Sequence, residues 1–532
     1  MNEGAPIARA PRWLWVAYAV SVLPLLAVVL TFSFGRDQGI YGVVAERWRH
    51  GVWPYEGAWD FKPPGIFLVF VAIQSLFGTG EVGVRVVEVL ALVGLLAGLF
   101  TYGVRVLRSE PVGLAAGLLA LVTHVQLDFW HTAQPETFAA PLLVAALLLS
   151  EAEGIASTVT LGILGGFLFL VKPPLGAAAA MPLLVKLVRA RGSRSSWVRV
   201  VVASVAALMP IALLVFAFHR AGALAALRDT LFVFAPGYTK LGWENETALS
   251  LVYRTVERTV TGFSGPLFLG LVLRVASRRP CAPLAELLAM LALCMLGTAL
   301  QAKLFPYHFG AILPLTAVIA AEGYVAVLGA AHAGVRVALA LFFGLAFVAR
   351  TASRDVSGTF LARSSARLRA YPAFLRGERA AFDALDKAAD LDPSANRALA
   401  AWFGSVAKEG EPVFLFGFDP SVYLEAHRAP ASRYLYDVPL RASWSAEHRA
   451  RLLSELAASR PAAIALERWD RMKMVTGNES DSLESAHAFE GFMAFLEANY
   501  RKVDDLGRFE RWVLRTSAKN EDNAPSSDTL MP

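Results

Sequence analysis

The chain has 532 residues, of which 56% are hydrophobic and only 18% charged, and its formal net charge is +6. Ordinary soluble domains carry about a quarter charged residues, so this composition excludes a soluble protein and predicts an integral membrane protein. We find no phosphate-binding loop, dinucleotide fingerprint, zinc-type His/Cys spacing or RNA-binding motif, which argues against nucleotide hydrolysis, structural zinc and nucleic-acid partners. Cys281 and Cys294 fall on one predicted helix about 20 Å apart, too far for a disulfide.

Hydrophobic runs long enough to cross the bilayer as helices recur through the first two thirds of the chain. They predict about eleven spans, at 13–34, 85–107, 112–127, 137–151, 157–171, 175–189, 198–218, 259–276, 282–300, 309–330 and 336–350. The first follows Arg9 and Arg12 and lacks a small-residue cleavage site, so we expect an uncleaved anchor with a cytoplasmic N-terminus.

Arg and Lys collect in alternate short loops, which orients the spans and leaves the C-terminus outside. The resulting membrane domain, 1–350, has outer loops at 35–84, 128–136 and 219–253. Within the first loop, residues 65–78 are apolar but short, and we expect an interfacial helix there.

Charge rises sharply after residue 350, and residues 351–516 predict a small α/β domain on the outer side. Its predicted strands are 412–417, 433–436, 462–466 and 511–514, and its helical windows include 445–459 and 484–498. The polar tail 517–532 has no core pattern, so we expect it to be disordered.

Charged residues in the first outer loop are the strongest functional signal in the sequence. Asp37 follows the first span, and Asp60 and Lys62 precede Pro63 and Pro64 in a loop that also carries Tyr41. Charges at a bilayer surface are costly to desolvate and usually mark chemistry. Asp37 could serve as a general base, or simply end a helix in water. Lys62 could bind phosphate, or snorkel.

Further polar residues lie at the outer ends of later spans. His131 and Glu136 occupy the second outer loop, Lys172 begins a second Lys-Pro-Pro run, and Tyr307 and His308 follow Lys303 after residue 300. Each has a plainer interpretation as a helix cap or an interfacial anchor. Together they predict one outer site whose cations stabilise a leaving phosphate.

These residues resemble, in order and spacing, the GT-C superfamily of membrane glycosyltransferases. The resemblance is to the branch of protein O-mannosyltransferases, lipid A aminoarabinose transferases and Rgt-type sugar transferases. It covers the chain to about residue 350. Its motifs are Asp37, 41–51, Pro54-Tyr55, 60–65, Phe77-Gly78 with Arg85, Glu136, Lys172 and 306–314.

The resemblance implies a GT-C fold and an inverting transfer from a polyprenyl-phosphate sugar to an acceptor on the periplasmic face. Asp37 would be the base, and Lys62, Lys172, His308 and Arg85 would bind the lipid phosphate. Many relatives have Asp-Glu where this chain has Asp37-Gln38, so we expect no metal or other cofactor.

Asp60, Glu136, His131, Tyr41 and Tyr307 would complete the site. The acceptor would be an envelope glycan, a lipid or a protein. The expected location is the bacterial inner membrane. Two alternatives remain: a transporter or lipid flippase, and a non-catalytic scaffold of the same fold. Transporters tend to place polar residues near the bilayer midplane, whereas here they collect at span ends, which favours the enzyme.

Overall fold

The computed structural model of the protein describes residues 6–261, 264–276, 282–329, 334, 337, 354–355, 358–387, 391–442, 444 and 447–515. It divides into two compact units, Met1–Ser394 and Ala395–Pro532, and each is described by itself.

The first unit is built almost entirely of helices. In chain order they are α1 (Arg12–Leu30), α2 (Arg36–Arg49), α3 (Gly65–Phe77), α4 (Glu81–Arg105), α5 (Glu110–Gln126), α6 (Asp128–His131), α7 (Pro135–Glu151), α8 (Ile155–Val171), α9 (Pro173–Arg189), α10 (Arg194–Arg220), α11 (Leu224–Asp229), α12 (Ala235–Trp243), α13 (Ala248–Thr261), α14 (Ser264–Ala276), α15 (Ala282–Leu300) and α16 (Ile312–Leu328). A π-helical turn, Thr230–Phe234, joins α11 to α12, and a 3₁₀ turn, Pro306–Phe309, precedes α16.

Four of the described helices, α1, α4, α10 and α15, are both long and apolar enough to cross a membrane. The helices α5, α7, α8, α9 and α16 lie where further spans were expected and have 17 residues each. A helix of that length rises about 25 Å, the lower limit for spanning. The count of eleven therefore stays a prediction, and its last span, 336–350, lies almost wholly outside the described residues.

The predicted interfacial helix at 65–78 and the predicted span at 259–276 have different outcomes in the structure. The expected short helix at 65–78 is present as α3. The expected span 259–276 overlaps α13, which begins at Ala248, and α14; residues 262–263 between them lie outside the described residues, so this span stays a prediction.

Glycines allow α8 to pack closely on α10. Gly162 and Gly166 are four residues apart, so they lie on one face of α8. A Cβ at either position would collide with a backbone carbonyl of α10, that of Ala203 or of Ala207. Small residues in this spacing let membrane helices approach until their backbones touch. The neighbouring Gly165 has its nearest atoms at 3.9 Å, an ordinary contact.

The first unit continues beyond the expected domain boundary at residue 350. Strands β1 (Arg354–Asp355) and β2 (Gly358–Thr359) form an antiparallel pair. They lead into the helices Phe360–Arg369 and Tyr371–Leu375 and the 3₁₀ turn Arg379–Phe382. Buried ion pairs tie this segment to the membrane unit, which is why the division falls after Ser394.

The second unit contains a four-stranded sheet in the order β3-β4-β6-β5. Its strands are β3 (Val413–Phe416), β4 (Ala463–Glu467), β5 (Tyr500–Lys502) and β6 (Phe509–Leu514). β3 and β4 are parallel, with Val413 opposite Ala463, and the other two pairings are antiparallel. The helices are Pro393–Val406, which begins just before the boundary, Ser421–Ala426, Val438–Arg441, Glu447–Ser459, Lys473–Thr476, Ser482–His487 and Phe492–Asn499.

One strand expected in this unit is not formed. Residues 433, 435 and 436 lie in bends and Tyr434 forms only an isolated β-bridge, although Tyr434, Leu435 and Tyr436 are buried as a strand would bury them. A run of buried apolar residues therefore does not by itself show that a segment is a strand. The tail 517–532 lies outside the described residues.

The α8–α10 contact predicts a position-specific effect of adding one methyl group. We expect Gly166→Ala to lower the free energy of unfolding by about 1–3 kcal/mol, because the backbones must separate. Thermal unfolding of the purified protein in detergent measures this. Gly165→Ala is the matched control and should leave the unfolding temperature nearly unchanged; equal effects of the two substitutions would contradict the packing argument.

Candidate functional site

Asp37 and Lys62 meet in the structure. Lys62 Nζ lies 3.5 Å from Asp37 Oδ1, and the two side chains keep only 19% and 18% of their exposure. Gln134 Nε2 donates to Asp37 Oδ2 at 2.9 Å, and Tyr41 Oη donates to Gln134 Oε1 at 3.0 Å. Residues from three separate segments thus surround the Asp37 carboxylate. It is partly shielded from water, and each of its two oxygens has a polar partner.

Local sequence explains how these side chains are presented. Asp37 lies in the first turn of α2, where unpaired N–H groups favour a negative charge. Lys62 precedes Pro63 and Pro64, which start α3 and fix the backbone. Tyr55 has a φ of 69° and donates its hydroxyl to Lys62 O at 2.7 Å, so an unusual backbone conformation holds the lysine in place.

The charge of Lys62 depends on its acidic neighbours. Burial lowers its pKa, but the carboxylates of Asp37, Asp60 and Glu136 offset this, and the net pKa is raised above the ordinary lysine value. Its ammonium also lies 5.4 Å from the centre of the Tyr41 ring. Lys62 is therefore a firmly protonated cation, and buried Asp60 contributes to the field that keeps it so.

A second ion pair, between Lys172 and Glu136, lies beside the first. Lys172 Nζ bonds Glu136 Oε1, while the other carboxylate oxygen, Oε2, is buried without a hydrogen-bond partner. Lys172 caps α9 and stands between α8 and α9, because Pro173 and Pro174 end one helix and start the next. Gly310 packs on Glu136, where a Cβ would lie 3.1 Å from Glu136 Cβ.

His308 reaches the same region but not as a cation. Burial, together with the charges of Lys172 and Lys62, holds its pKa well below 6.5, so the ring is neutral at pH 7. Its Nδ1 atom is buried without a hydrogen-bond partner. His308 therefore lies beside the two lysines as a neutral ring able to donate or accept one hydrogen bond, and its role in phosphate binding stays a prediction.

Tyr307 and His131 form an aromatic side of the site. Their ring centres are 5.5 Å apart, and His131 stacks on Trp130 at 4.2 Å. Burial and the Asp37 charge raise the pKa of Tyr307 well above the ordinary value. Burial and Asp37 do the same for Tyr41, so both phenols remain protonated donors.

Arg85 does not face this cluster, contrary to its expected phosphate role. Its guanidinium is fully buried and pairs with Glu88 at 2.6 Å. It donates to the backbone carbonyls of Phe32, Ser33 and Phe129. Its N–H groups thus bond to the protein itself and connect residues 32–33 with residue 129. They do not point toward a ligand.

The partners of Arg85 extend this buried network. Glu88 Oε1 accepts from His124 Nε2 at 2.9 Å and from the amide of Ala133 at 2.8 Å. Ala133 has a φ of 51°, a strained conformation for a residue with a Cβ. Gln134, which bonds Asp37, is the next residue. Sequence reasoning missed Gln134, although its place between His131 and Glu136 in the polar cluster was a usable signal.

Gln38 occupies the position where many resembling sequences carry an acid. It is fully buried, and its amide Nε2 donates to Thr132 O and, at 3.3 Å, to Phe129 O. A carboxylate could not make these bonds. Within the described part of the chain, no group of three or more His, Cys, Asp or Glu is arranged to hold a metal ion. The expectation that no metal is used stays a prediction.

Comparison with known proteins gives the fold a class. Residues 61–219 match the family described as dolichyl-phosphate-mannose-protein mannosyltransferase. No curated protein matches the sequence. The structure is similar to the crystal structure of ArnT from Cupriavidus metallidurans bound to undecaprenyl phosphate, with a TM-score of 0.63 and 14% identity, covering 96% of this chain and 99% of that one. The apo structure of the same protein gives a TM-score of 0.60 at 14% identity, over 94% and 97% of the two chains.

The protein thus has a fold similar to that of ArnT, and residues 61–219 match a mannosyltransferase family; both findings agree with the GT-C resemblance of the sequence motifs.

The neutral state of His308 has a measurable consequence for stability. In the unfolded chain this histidine gains a proton below about pH 6.5, whereas the folded protein resists it, so acid favours unfolding. We expect His308→Gln to remove part of the loss of stability between pH 7 and pH 5, up to about 1.4 kcal/mol per pH unit. Unfolding temperatures across this range measure it.

The matched control is His50→Gln, since His50 is largely exposed. It should leave the pH dependence of the unfolding temperature as in the wild type. An unaltered acid sensitivity in His308→Gln would show that the buried ring already carries a proton.

Proposed function

We propose that this protein is a glycosyltransferase that moves a sugar from a polyprenyl-phosphate donor to an acceptor hydroxyl with inversion, using Asp37 as general base. The observation that carries the proposal is the paired arrangement of Asp37 with Lys62 and Glu136 with Lys172 at the ends of membrane helices. A base and two cations beside the bilayer suit a reaction whose leaving group is an anionic lipid. We propose that the reaction takes place at the periplasmic face of a bacterial inner membrane.

Asp37 suits the role of base because its carboxylate is fixed in position and still has free lone pairs. Gln134 and Lys62 fix its two oxygens, and the remaining lone pairs can accept a proton from an acceptor hydroxyl. In the reaction the acceptor oxygen bonds to the anomeric carbon as its proton passes to Asp37. The bond from that carbon to the phosphate oxygen breaks, and the phosphate leaves with the electron pair. A single displacement of this kind inverts the anomeric configuration.

Lys62 and Lys172 suit the leaving phosphate. Both are partly buried ammonium groups that already face carboxylates, so a phosphate can exchange with those carboxylates as their partner. His308 adds a neutral hydrogen-bonding atom, Nδ1, close to both lysines. The undecaprenyl phosphate in the similar ArnT structure supports a polyprenyl-phosphate donor.

The acceptor would be an envelope glycan, a lipid or a protein. His131 and Tyr307 present aromatic surface beside Asp37 on which a sugar ring could pack. The buried amide of Gln38 supports a mechanism in which lysines, rather than a metal ion, balance the phosphate charge.

Replacing the base gives the most direct test. We expect Asp37→Asn to lower the rate of sugar transfer about 10²- to 10⁴-fold, the range of general-base contributions. The change is nearly isosteric, so expression and membrane insertion should be unchanged. Transfer is measured in membranes supplied with a radiolabelled polyprenyl-phosphate sugar. Asp229→Asn, at an exposed carboxylate, is the control; a fully active Asp37→Asn would remove the proposed base.

Removing one phosphate contact separates donor binding from acceptor binding. We expect Lys62→Ala to weaken binding of undecaprenyl phosphate about 10- to 100-fold, as the loss of a charged hydrogen bond implies. Binding is measured by titration of the purified protein in nanodiscs. Lys240→Ala, at an exposed lysine, should bind as the wild type does. An equal loss of acceptor affinity in Lys62→Ala would indicate a structural lysine instead.

A further inference from the structure

The segment that follows the membrane helices returns to the site through buried charges. From the helix Phe360–Arg369, Arg363 pairs with Asp128, and Arg367 Nη2 lies 2.6 Å from Asp386 Oδ1 and 3.5 Å from Asp128 Oδ1. All four side chains are at least nine-tenths buried. We call these four residues the arginine cluster; it contains two positive and two negative groups.

One side of the arginine cluster holds the turn that leads to Asp37. Arg367 Nη1 donates to Thr31 O at 3.4 Å, and its guanidinium lies 4.8 Å from the centre of the Phe32 ring. Asp386 accepts a hydrogen bond from the Ser33 hydroxyl. The cluster therefore touches three consecutive residues that end four positions before Asp37.

A neighbouring pair holds the next residue of the same turn. Glu81 accepts from the amide of Phe34 at 2.9 Å, and Arg379 Nη2 pairs with Glu81 at 2.7 Å. Arg379 also donates to Thr31 O at 3.3 Å. Two arginines from the segment 360–387 thus converge on residues 31–34.

The other side of the arginine cluster holds the loop that carries Gln134. Asp128 has a φ of 60°, a conformation that costs free energy in a residue with a Cβ. Its carboxylate accepts from the amide of Phe129 at 2.7 Å while it pairs with both arginines. Strained residues persist where their surroundings hold them, and such strain collects at functional sites.

Buried charge networks of this kind are weak evidence for a stabilising role. Their desolvation cost is large, and well-packed apolar side chains can often replace them without loss of stability. The arginine cluster is better explained by the two backbone segments that it holds in position. It joins the turn before Asp37 to the loop before Gln134, and those two side chains share the 2.9 Å hydrogen bond that directs the base.

We propose that Arg367, with Asp128 and Asp386, is a positioning group for the base, and that residues 360–387 therefore belong to the catalytic unit. The inference rests on the proposed role of Asp37. Arg367 touches no reacting atom and acts through the first two loops.

The test compares two arginines of the same segment. Arg367→Met keeps the length of the side chain and removes its charge, and Arg376→Met does the same at an exposed ion pair with Glu378. We expect kcat to fall about 10- to 100-fold in Arg367→Met, since a misplacement of about 1 Å costs roughly that factor. The KM for donor and the Kd for undecaprenyl phosphate should stay within twofold of wild type. Arg367→Lys, which keeps the charge, should recover part of kcat, and Arg376→Met all of it.

A second measurement tests whether the backbone around Asp37 becomes more mobile. Hydrogen exchange in nanodiscs should show faster exchange of the Phe34 and Gly39 amides in Arg367→Met than in wild type or Arg376→Met. If Arg367→Met fails to fold, Asp386→Asn carries the same test, because it loses the charge and keeps an acceptor for Ser33. Unchanged kcat with unchanged exchange, or a loss confined to KM, would overturn the inference.

These outcomes are separable from failure of the proposed function. A fully active Asp37→Asn would refute the base itself, whatever the exchange data show. Loss of activity in Asp37→Asn with unchanged kcat in Arg367→Met would refute only the positioning role.

Discussion

The buried guanidinium of Arg85 is the interaction on which the arrangement of the site depends. It donates to carbonyls on both sides of the gap between the first two loops, and Glu88 balances its charge. Separating these loops would leave buried N–H groups of Arg85 without the backbone carbonyls that accept their hydrogen bonds. The loops are therefore held together before any substrate arrives, and the base and its hydrogen-bond partner keep their geometry at no further entropic cost.

Hydropathy predicted the helices well because each apolar run has the length and period of a membrane helix. It also predicted that the charged residues lie at one set of helix ends. The structure brings four of them together there as two ion pairs, Asp37 with Lys62 and Glu136 with Lys172. The individual roles were harder to predict. Arg85 looked like a phosphate ligand because sequence does not show which way a side chain points. His308 looked cationic because its burial beside two lysines depends on contacts far apart in the chain.

The expected boundary at residue 350 and the division of the structure after Ser394 differ for a related reason. The rise in charge after residue 350 is real, but part of that charge is spent in ion pairs with residues more than two hundred positions earlier. Composition cannot distinguish a charge that faces water from one that faces a buried partner. The family match, over residues 61–219, likewise omits the Asp37 turn, the loop with His308 and the segment 360–387. The site combines matched and unmatched parts of the chain.

The four-stranded sheet ends at β5, whose last two residues, Arg501 and Lys502, are exposed. A bare strand edge is a template on which another chain can add a strand, and positive side chains along it oppose that addition through repulsion and hydration. At this edge Arg501 is exposed, whereas Lys502 Nζ lies 2.7 Å from Glu510 Oε2 on the neighbouring strand. Two copies that met edge to edge at β5 would thus bring their Arg501 side chains together, and the repulsion between these cations disfavours pairing of the two sheets.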